Sequence, residues 1–555
     1  MRCVRSAPLA VLGAASLAAL LASTPARAQG FDTFGPQELE TSIGAPSFYD
    51  QYWPRIAQHG STYAAAWSIG QDIWACYYDA DLQPIGGAFQ VNTTLTYGNQ
   101  DEPDLAFDAN GRLLIAWSDR EGNDGQLMGI FGRAYDQNRV ALGPEFQVNE
   151  QGAQSQWRPL VTPNRFGGWI VAFSGNWDGD AFIRIFDGNA HPRSGDIRAN
   201  EWLWDAQVDP DVAVAPNGNL FVVFVDYSSH GTVGSGLNLY GRVYDATGNP
   251  LQTEEFPLTS WTSNGDQMNP RVVCDGLGRF VVTWDDQLSD GNGWGVFARR
   301  FDASGNALGP EFQVNQLASG DQTGSVPGVD ASGRLSVMWK VGPLGSVELR
   351  ARRFDANGQP LGGDFAVNGK VAGDQLRPDL VVDPAGGEVL FVYDGPVSGP
   401  GTPLELWARR FLRTDGPQTY CTAKLNSQGC LAATGFSGTP SASSGAPFLV
   451  QAANVVNRKT GLLLYSFSSA FVPFQGGTLC VGSSFRAGAQ NSGGSASGSD
   501  CSGGFAFDFN ALIRSGANPL LVPGATVQTQ WIHRDFPIGG SSIGLSDAGR
   551  FAIQN

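Results

Sequence analysis

The sequence predicts an all-β protein, and two repeating features carry the prediction. A short apolar run that ends in an aromatic residue occurs seven times, at intervals of 50 to 60 residues. Each run lies among three other stretches rich in β-branched and aromatic residues, with Gly, Asp and Asn at the turns between them. Four short strands in each of seven copies predict a seven-bladed β-propeller over residues 29–419. The seven runs end at Trp67, Trp117, Phe173, Phe224, Trp284, Trp339 and Tyr393.

The seventh copy lacks a fourth strand, and the N-terminal segment carries one. Copies five and six end in the phrases EFQVN and DFAVN, whereas the seventh stops at LWARRFLRTDGP. A fragment of the missing phrase, QELETS, occupies residues 37–42. Pairing it with the last copy would remove the free edges of the array, so we expect residues 37–42 to be the closing strand of the last blade.

Residues 1–28 have the layout of a secretory signal peptide, with Arg2 and Arg5, an apolar run and small residues before a cleavage site at Ala28. No later stretch reaches 18 unbroken apolar residues, so we expect no membrane span and a secreted or cell-surface monomer. Residues 29–419 carry 25 basic and 48 acidic side chains. That charge repels nucleic acid and anionic lipid and favours cations or neutral polymers as partners.

The composition changes after Pro417, where short apolar runs alternate with Gly, Ser and Pro. Such spacing predicts a small β-sandwich over residues 420–555. Four cysteines cluster there and predict two disulfides; zinc is the alternative, but there is no CxxC pair. Of the three pairings, the sequence-local one joins Cys421 to Cys430 and Cys480 to Cys501. Cys76 and Cys274 fall in copies that are not neighbours, and we expect buried free thiols.

Several phrases of this last region, among them YCTAKLNSQGC, PFQGGTLCVG and DCSGGFAFDFNALI, carry a resemblance. In the same order they resemble a C-terminal module that ends many exported proteins of planctomycete bacteria. The resemblance covers about residues 420–555, implies a role in surface display or anchoring, and brings no catalytic residues. The repeats likewise resemble propeller arrays in exported proteins of such bacteria, which implies a fold and not a function.

Motifs of common catalytic sites are absent: there is no GxSxG, HExxH, Walker loop or CxxC. The Asp-x-x-Gly turns are expected to bond their own backbone. Strand alternation sends the two residues of each paired arginine to opposite faces, where we expect them to pair with nearby acids between blades. These pairs are Arg299/Arg300, Arg352/Arg353 and Arg409/Arg410.

Loops predicted on one face of the propeller combine acids with tryptophans. Carboxylates accept hydroxyl protons and indole rings stack on sugar CH faces, so the set suits a glycan or other polymer. The segment DDQLSDGNG could instead hold Ca²⁺ through Asp285, Asp286 and Asp290. A third interpretation is that the acids form turns and the tryptophans pack between blades. The candidate ligand-binding residues are Asp119, Asp178, Asp226, Asp285, Asp394, Trp157, Trp177, Trp202, Trp261 and Trp294, with Trp204 beside them.

These observations predict a non-catalytic extracellular binding or scaffold protein that requires no cofactor. Its expected partner is an extracellular polymer or a cell-surface component. The alternative is a glycan-active hydrolase or lyase that uses paired acids on the same face. Binding is favoured because no copy carries a distinctive insertion of His, Tyr or Glu. If the acids form an exposed site, replacing Asp226 and Asp285 with Ala should leave the fold intact.

Overall fold

The computed structural model describes residues 34–36, 41–44, 49–123, 125, 127–150, 154–175, 179–228, 236–259, 265–369, 373–384, 388–397, 402–413, 417–523, 525–535 and 543–553. The predicted signal peptide and residues 37–40 of the predicted closing strand lie outside these ranges. Across the described residues the fold is all-β apart from one short helix. None of the helices found there is long and apolar enough to cross a membrane.

Six successive segments each fold into a four-stranded antiparallel sheet whose strands follow one another in chain order. Two short strands precede them, β1 (Phe34–Pro36) and β2 (Thr41–Ser42). The first three sheets consist of β3 (Gln51–His59), β4 (Thr62–Ile69), β5 (Asp72–Tyr78) and β6 (Phe89–Gln90); β7 (Gln100–Phe107), β8 (Leu113–Asp119), β9 (Gly129–Tyr135) and β10 (Phe146–Gln147); and β11 (Gln156–Pro163), β12 (Trp169–Gly175), β13 (Asp180–Phe186) and β14 (Ile197–Arg198).

The next three sheets repeat the arrangement. They consist of β15 (Gln207–Val214), β16 (Leu220–Asp226), β17 (Asn238–Tyr244) and β18 (Phe256–Pro257); β19 (Gln267–Cys274), β20 (Phe280–Gln287), β21 (Trp294–Phe301) and β22 (Phe312–Gln313); and β23 (Gln322–Val329), β24 (Leu335–Val341), β25 (Glu348–Phe354) and β26 (Phe365–Ala366).

The last repeat segment supplies only three strands, β27 (Leu376–Val382), β28 (Glu388–Pro396) and β29 (Leu404–Arg413). Both N-terminal strands pair antiparallel with β29, Thr41 opposite Ala408 and Ser42 opposite Trp407. The first strand of each sheet contacts the first strand of the next, and β27 contacts β3. Sheets of this kind arranged around their first strands form a β-propeller.

Packing between sheets explains the apolar second strands. Strands β8, β12 and β16 are buried along their whole length because each lies between two neighbouring sheets. Apolar clusters therefore combine residues of adjacent sheets. One such cluster joins the first and last repeat segments through Ile56, Leu390 and Leu406, together with Ile43 from the N-terminal segment.

The repeated Asn and Gln residues join each sheet to the next. The side-chain oxygen of Asn92 accepts a hydrogen bond from the backbone N–H of Ile73 in its own sheet, at 2.8 Å. Its amide nitrogen donates to Gln100 Oε1 in the following sheet, at 2.9 Å. The same Asn-to-Gln bond joins Asn149 to Gln156, Asn200 to Gln207 and Asn315 to Gln322. The phrase that ends each copy is therefore an inter-sheet fastening.

The paired arginines face neighbouring sheets on opposite sides, as alternation predicts. Arg299 Nη1 donates to the carbonyl of Leu258 in the preceding sheet, at 2.8 Å. Arg300 Nη2 donates to the carbonyl of Asp355 in the following sheet, at 2.7 Å. Their partners are largely backbone carbonyls and not the acids expected from the sequence, although Glu311 lies 3.4 Å from Arg299. The Asp-x-x-Gly aspartates bond the backbone of their own turns, as predicted; Asp302 is an example.

The C-terminal region folds into two main sheets around one apolar core. Its elements are β30 (Gln418–Tyr420), β31 (Ala433–Ser437), β32 (Leu449–Val455), β33 (Thr460–Ser466), β34 (Ser469–Phe474), β35 (Gly477–Val481), β36 (Phe485–Asn491), β37 (Gly503–Asp508), α1 (Phe509–Arg514), β38 (Thr526–Arg534) and β39 (Ile543–Ala552). A five-stranded sheet runs in the order β30-β39-β38-β33-β36, and a three-stranded sheet in the order β31-β32-β37. Side chains of both sheets, including Phe505 and Trp531, meet in the core.

Two disulfides are present, and their pairing differs from the sequence prediction. Cys421 is bonded to Cys480, and Cys430 to Cys501, with Cα separations of 6.4 and 6.5 Å. The predicted bonds Cys421–Cys430 and Cys480–Cys501 are wrong because strand register, not closeness in sequence, decides which cysteines meet. Cys76 and Cys274 are free thiols as predicted, and only Cys76 is fully buried.

Peptide mapping of the purified protein under non-reducing conditions tests this pairing. We expect linked peptides for Cys421 with Cys480 and for Cys430 with Cys501. Recovery of a peptide linking Cys421 to Cys430 would contradict the arrangement of the C-terminal sheets.

Ile43 tests how much the N-terminal segment stabilises the propeller. Its side chain is 5% exposed, and its backbone N–H donates to the Leu406 carbonyl at 3.0 Å. Truncation of a buried Ile to Ala removes apolar burial and leaves a cavity, so Ile43→Ala should lower the free energy of unfolding by about 2–5 kcal/mol. Chemical denaturation measures the loss. Ser42→Ala, on an exposed neighbour, is the control and should change it by less than about 0.5 kcal/mol.

Candidate functional site

Every first strand of the propeller carries the same irregularity at the third residue of its Gln-x-x-Pro motif or of the equivalent segment in the sixth copy. The pairing register shifts at that point in all seven strands. The residue at that point has a positive φ angle, between 44° and 66° in the seven strands. Only one of these residues is Gly, and positive φ is unfavourable for the others, so neighbouring groups must hold this conformation. The seven bulge residues are Trp53, Glu102, Arg158, Asp209, Asn269, Gly324 and Arg377.

For four of the seven bulges, the structure shows a side chain of the preceding sheet that holds the bulge. Ser118 Oγ accepts the backbone N–H of Arg158 at 3.0 Å, and Ser174 Oγ accepts that of Asp209 at 2.9 Å. Asp285 does the same for Gly324 at 2.7 Å. In each case the acceptor directly follows the aromatic residue that ends the second-strand run. We call this contact the bulge latch.

A second set of contacts joins the sheets two residues further along the first strand. There Asp104 accepts the backbone N–H of Val161 at 2.6 Å, and Asp379 accepts that of Ile56 at 2.8 Å. Asp211 bonds Val272 in the same way, at 2.9 Å. The equivalent residues of the other copies are Arg55, Leu160, Arg271 and Val326.

The bulge residues and this second set line a cavity of about 510 Å³ where the first strands converge. We call it the axial cavity. A recess of about 60 Å³ with several of the same lining residues adjoins it. Ligand pockets in proteins measure roughly 300–1,000 Å³, so the axial cavity has room for a small organic molecule or one end of a polymer.

Eight charged side chains line the cavity, and four of them are in ion pairs. Arg55 Nε lies 3.5 Å from Asp104 Oδ1. Arg377 Nη1 lies 2.7 Å from Asp394 Oδ2, and its guanidinium covers the Trp53 ring at 4.8 Å from the centroid. The wall therefore presents carboxylates, guanidinium groups and one indole to whatever enters.

The same pairing continues in the recess. Arg158 lies between two acids, 2.6 Å from Asp209 and 3.6 Å from Glu102.

Burial shifts the acids of the cavity toward their neutral form. It raises the pKa of Asp104 to about 7, although Arg55 acts in the opposite direction. Burial likewise raises the pKa of Asp211 and Asp379, opposed by Arg271 and Arg55 respectively. Carboxyl groups in this state can donate as well as accept hydrogen bonds near neutral pH.

The structure places the four described candidate acids at the same end of their sheets, but it buries them. Asp119, Asp226, Asp285 and Asp394 are each 0% exposed. Asp119 and Asp226 accept hydrogen bonds from the motif glutamines Gln100 and Gln207, both at 3.2 Å. Asp285 and Asp394 form bulge latches. The expectation of exposed carboxylates is wrong for these four, because the next sheet covers the end of each second strand.

The tryptophans differ in exposure. Trp204 is 73% and Trp202 41% exposed, on the loop that leads into β15. Trp157 and Trp294 are half-buried. Asp178, Trp177 and Trp261 lie outside the described residues.

Two tyrosines on the same face escaped the sequence reasoning. Tyr97 is 75% and Tyr49 70% exposed, on loops that lead into first strands. Tyr97 and Trp204 occupy equivalent positions three residues before a motif Gln, whose Nε2 donates to their carbonyls at 2.9 and 2.8 Å. The motif glutamines thus anchor loops that present aromatic rings to solvent.

The predicted Ca²⁺ ligands do not form a site. Asp285 latches the following sheet, while Asp286 accepts from Gln267 and Trp284 in its own sheet. Asp290 accepts from Asn292 and Asn315. Among the residues that the structure describes, no group of three or more His, Cys, Asp or Glu could hold a metal ion. Asp285, Asp286 and Asp290 therefore do not meet as a group of Ca²⁺ ligands in the described structure.

Sequence reasoning also missed the axial cavity itself. Its wall consists of the variable residues within and just after Gln-x-x-Pro. An alignment of repeats identifies the residues that recur, whereas the wall residues differ from copy to copy. The available signal was the charge at those variable positions. Four of the seven bulge residues and five of the seven residues two positions later are charged, and each set contains acids and bases.

Comparisons with known proteins give a limited result. No family model matches the chain, and no curated protein matches it. Among solved structures, it is similar to a protein of unknown function from Dyadobacter fermentans, at 11% identity and a TM-score of 0.42 over 68% of this chain and 99% of the other. It is also similar to the Penicillium chrysogenum alpha-L-arabinanase, at 15% identity and a TM-score of 0.40 over 68% and 98%.

A third similar structure is a polysaccharide lyase of family PL25, an ulvan lyase, at 10% identity and a TM-score of 0.44 over 68% and 94%. All three TM-scores lie below 0.5. The β-propeller fold of this chain is therefore assigned from its own strand pairing and not from its similarity to these structures.

The buried latch at Asp394 corrects the expectation that removing such acids leaves the fold intact. Asp394→Ala would leave the Arg377 guanidinium and the Trp53 N–H without their acceptor. An unsatisfied buried group costs about 1–3 kcal/mol, so we expect a loss of that size in chemical denaturation. Glu121→Ala, on an exposed acid of the same face, is the control and should change stability by less than about 0.5 kcal/mol. Equal effects of the two substitutions would contradict the latch.

Proposed function

We propose that the protein is an exported, non-catalytic binding protein whose axial cavity and surrounding loops bind a glycan or a similar polyhydroxylated polymer. The observation that carries this proposal is the axial cavity of about 510 Å³, whose wall combines hydrogen-bonding charged groups with the Trp53 ring. Sugar hydroxyls donate to carboxylates and accept from guanidinium groups, and sugar CH faces pack on aromatic rings.

Exposed aromatic side chains extend the surface beyond the cavity. Trp204, Trp202 and Tyr97 are 73%, 41% and 75% exposed on loops that lead into first strands. Large exposed aromatic side chains in a group indicate an interaction surface. A polymer with one unit in the axial cavity and others across these loops would use both features.

We also propose that the propeller is a single ring of seven blades over residues 29–419, with residues 37–42 in the closing strand. Pairing of Thr41 and Ser42 with β29 supports it. So do contacts between the last and first repeat segments. Asp379 accepts the N–H of Ile56, and Tyr63 Oη donates to Glu388 at 2.8 Å.

We also propose that residues 1–28 direct export and that residues 420–555 display the propeller at the cell surface. The two disulfides support an extracellular location, since such bonds persist in oxidising compartments. The resemblance of residues 420–555 to the C-terminal module of planctomycete exported proteins supports the display role.

A second candidate function, a glycan-active hydrolase or lyase, is favoured by Asp104. Its pKa of about 7, inside a cavity and beside Arg55, gives a carboxyl that can donate or accept a proton at neutral pH. The acids that the sequence suggested for this role are buried in latches, so the axial aspartates take their place in the hypothesis.

A binding and turnover experiment on residues 29–555 tests both functions. We expect one or more oligosaccharides from a glycan array to bind in calorimetry, and Trp204→Ala to weaken that binding about tenfold, because a stacked ring contributes about 1–3 kcal/mol. Phe166→Ala removes a ring that is 71% exposed in a turn at the other end of the sheets, and it should leave affinity unchanged.

Absence of any saccharide ligand, or equal effects of the two substitutions, would refute the proposed binding face. Release of new reducing or unsaturated ends, lost in Asp104→Asn, would replace binding by catalysis as the function.

A further inference from the structure

We infer that the ligand of the axial cavity is an acidic saccharide, and that Lys340 binds its anionic group with Arg271 beside it. This inference rests on the proposed function and specifies its ligand class. The anionic group is a carboxylate or a sulfate ester, and both would be recognised by the same cationic pair.

Basic residues outnumber acidic ones in the axial cavity, whereas acidic residues outnumber basic ones in the propeller as a whole. Residues 29–419 hold 25 basic and 48 acidic side chains. The lining of the axial cavity includes five basic residues, Arg55, Arg158, Arg271, Lys340 and Arg377, against three acidic ones, Asp104, Asp211 and Asp379. Basic groups concentrated in one concavity attract an anion to that place. The acidic surface of the rest of the propeller repels it.

Three of these five basic groups already lie beside an acid. Arg55 is paired with Asp104, Arg377 with Asp394 and Arg158 with Asp209. The positive charge that remains for a ligand therefore lies on the fifth and sixth sheets, at Arg271 and Lys340.

Lys340 lacks a partner in the part of the chain that the structure describes: no hydrogen bond or ion pair to its ammonium occurs there. Asp285, whose pKa burial raises to about 6 against a smaller lowering by Lys340, is not available to pair with it. Its oxygens accept from Asn269 and Gly324, at 2.7 Å each, and from Ser325 at 3.4 Å. A half-buried ammonium without a counter-ion is costly, and an anionic ligand would supply one.

Arg271 is similarly available. Its one described hydrogen bond joins Nη1 to the carbonyl of Pro270 at 3.3 Å, and no described carboxylate lies within ion-pair distance. Asp211 interacts with it only at longer range, through the effect on the Asp211 pKa. A guanidinium with free donors in the same cavity as an ammonium suits a carboxylate or sulfate.

The position of Lys340 is unusual among the copies. It directly follows the aromatic residue of the second strand, where Ser118, Ser174, Asp285 and Asp394 provide bulge latches. A lysine cannot accept a hydrogen bond, so it cannot serve as a latch. Gly324 gives it room, because a Cβ at position 324 would lie 2.6 Å from Lys340 Cε. The chain has only four lysines among its 35 basic residues, so this one is not a product of composition.

Calorimetry with four kinds of ligand tests the inference on the wild-type mature chain, residues 29–555. The probes are an oligogalacturonate, a sulfated oligosaccharide, a neutral oligosaccharide of equal length, and inorganic sulfate. We expect one or both acidic saccharides to bind at least about tenfold more tightly than the neutral one, because bonds to charged groups contribute about 1.5–3 kcal/mol. Which acidic saccharide binds identifies the anion, and sulfate that bound as tightly as the saccharides would overturn the saccharide assignment.

Substitution identifies the residue responsible. Lys340→Gln should weaken binding of the acidic saccharide at least about tenfold and remove most of its salt dependence, and Lys340→Arg should restore both. Arg193→Gln, which removes an equal charge from a side chain that is 69% exposed outside the cavity, should have no effect. Equal effects of Lys340→Gln and Arg193→Gln would overturn the assignment.

The two proposals fail in different ways. Neutral saccharide binding that depends on Trp204 but not on Lys340 would overturn the acidic ligand and leave the binding face in place. Failure of every saccharide to bind would overturn both. Amine methylation with mass spectrometry gives an independent measurement: the acidic ligand should protect Lys340 and not Lys459, and equal reactivity with and without ligand would contradict the site.

Discussion

Capture of a backbone N–H on one sheet by a side chain of the preceding sheet is the interaction on which the rest of this structure depends. The first strands converge, and each bulge interrupts the pairing of its first strand with the second strand of the same sheet. Ser118, Ser174, Asp285 and Asp394 each accept the backbone N–H of a bulge residue from the neighbouring sheet. Because an unpaired buried N–H is costly, the latch fixes both the bulge and the spacing between sheets. The axial cavity is what the latched bulges enclose.

Much of the fold could be predicted from the sequence because each repeat shows the same pattern of apolar and turn residues. A continuous apolar run such as Leu113–Asp119 indicates a strand buried on both faces, and the structure buries it. The paired arginines followed strand alternation for the same reason. The disulfides could not be predicted, since Cys421 and Cys480 are brought together by pairing among β30, β38 and β39 and by the position of β35, and sequence spacing does not report sheet register.

The site was harder to predict because a carboxylate at the end of a strand looks the same in sequence whether it faces solvent or a neighbouring sheet. Asp226 and Asp285 were chosen for their position after the second strand, and that position is where the next sheet covers them. Trp204 was placed correctly on an exposed loop because it lies outside any strand pattern. The wall of the axial cavity was overlooked because its residues differ from copy to copy, whereas a repeat is recognised by what stays the same.

The latch has a consequence for how such a protein can diversify. It holds the bulge through the backbone, so the side chain at a latched position can be Trp, Arg, Asp or Gly without a change in the hydrogen bond that fixes the strand. Duplication of a copy would carry the latch with it, while substitution of the bulge residue would alter the chemistry of the axial cavity. At a latched bulge, the backbone hydrogen bond that sets the shape of the strand and the side chain that sets the chemistry of the cavity can therefore change independently.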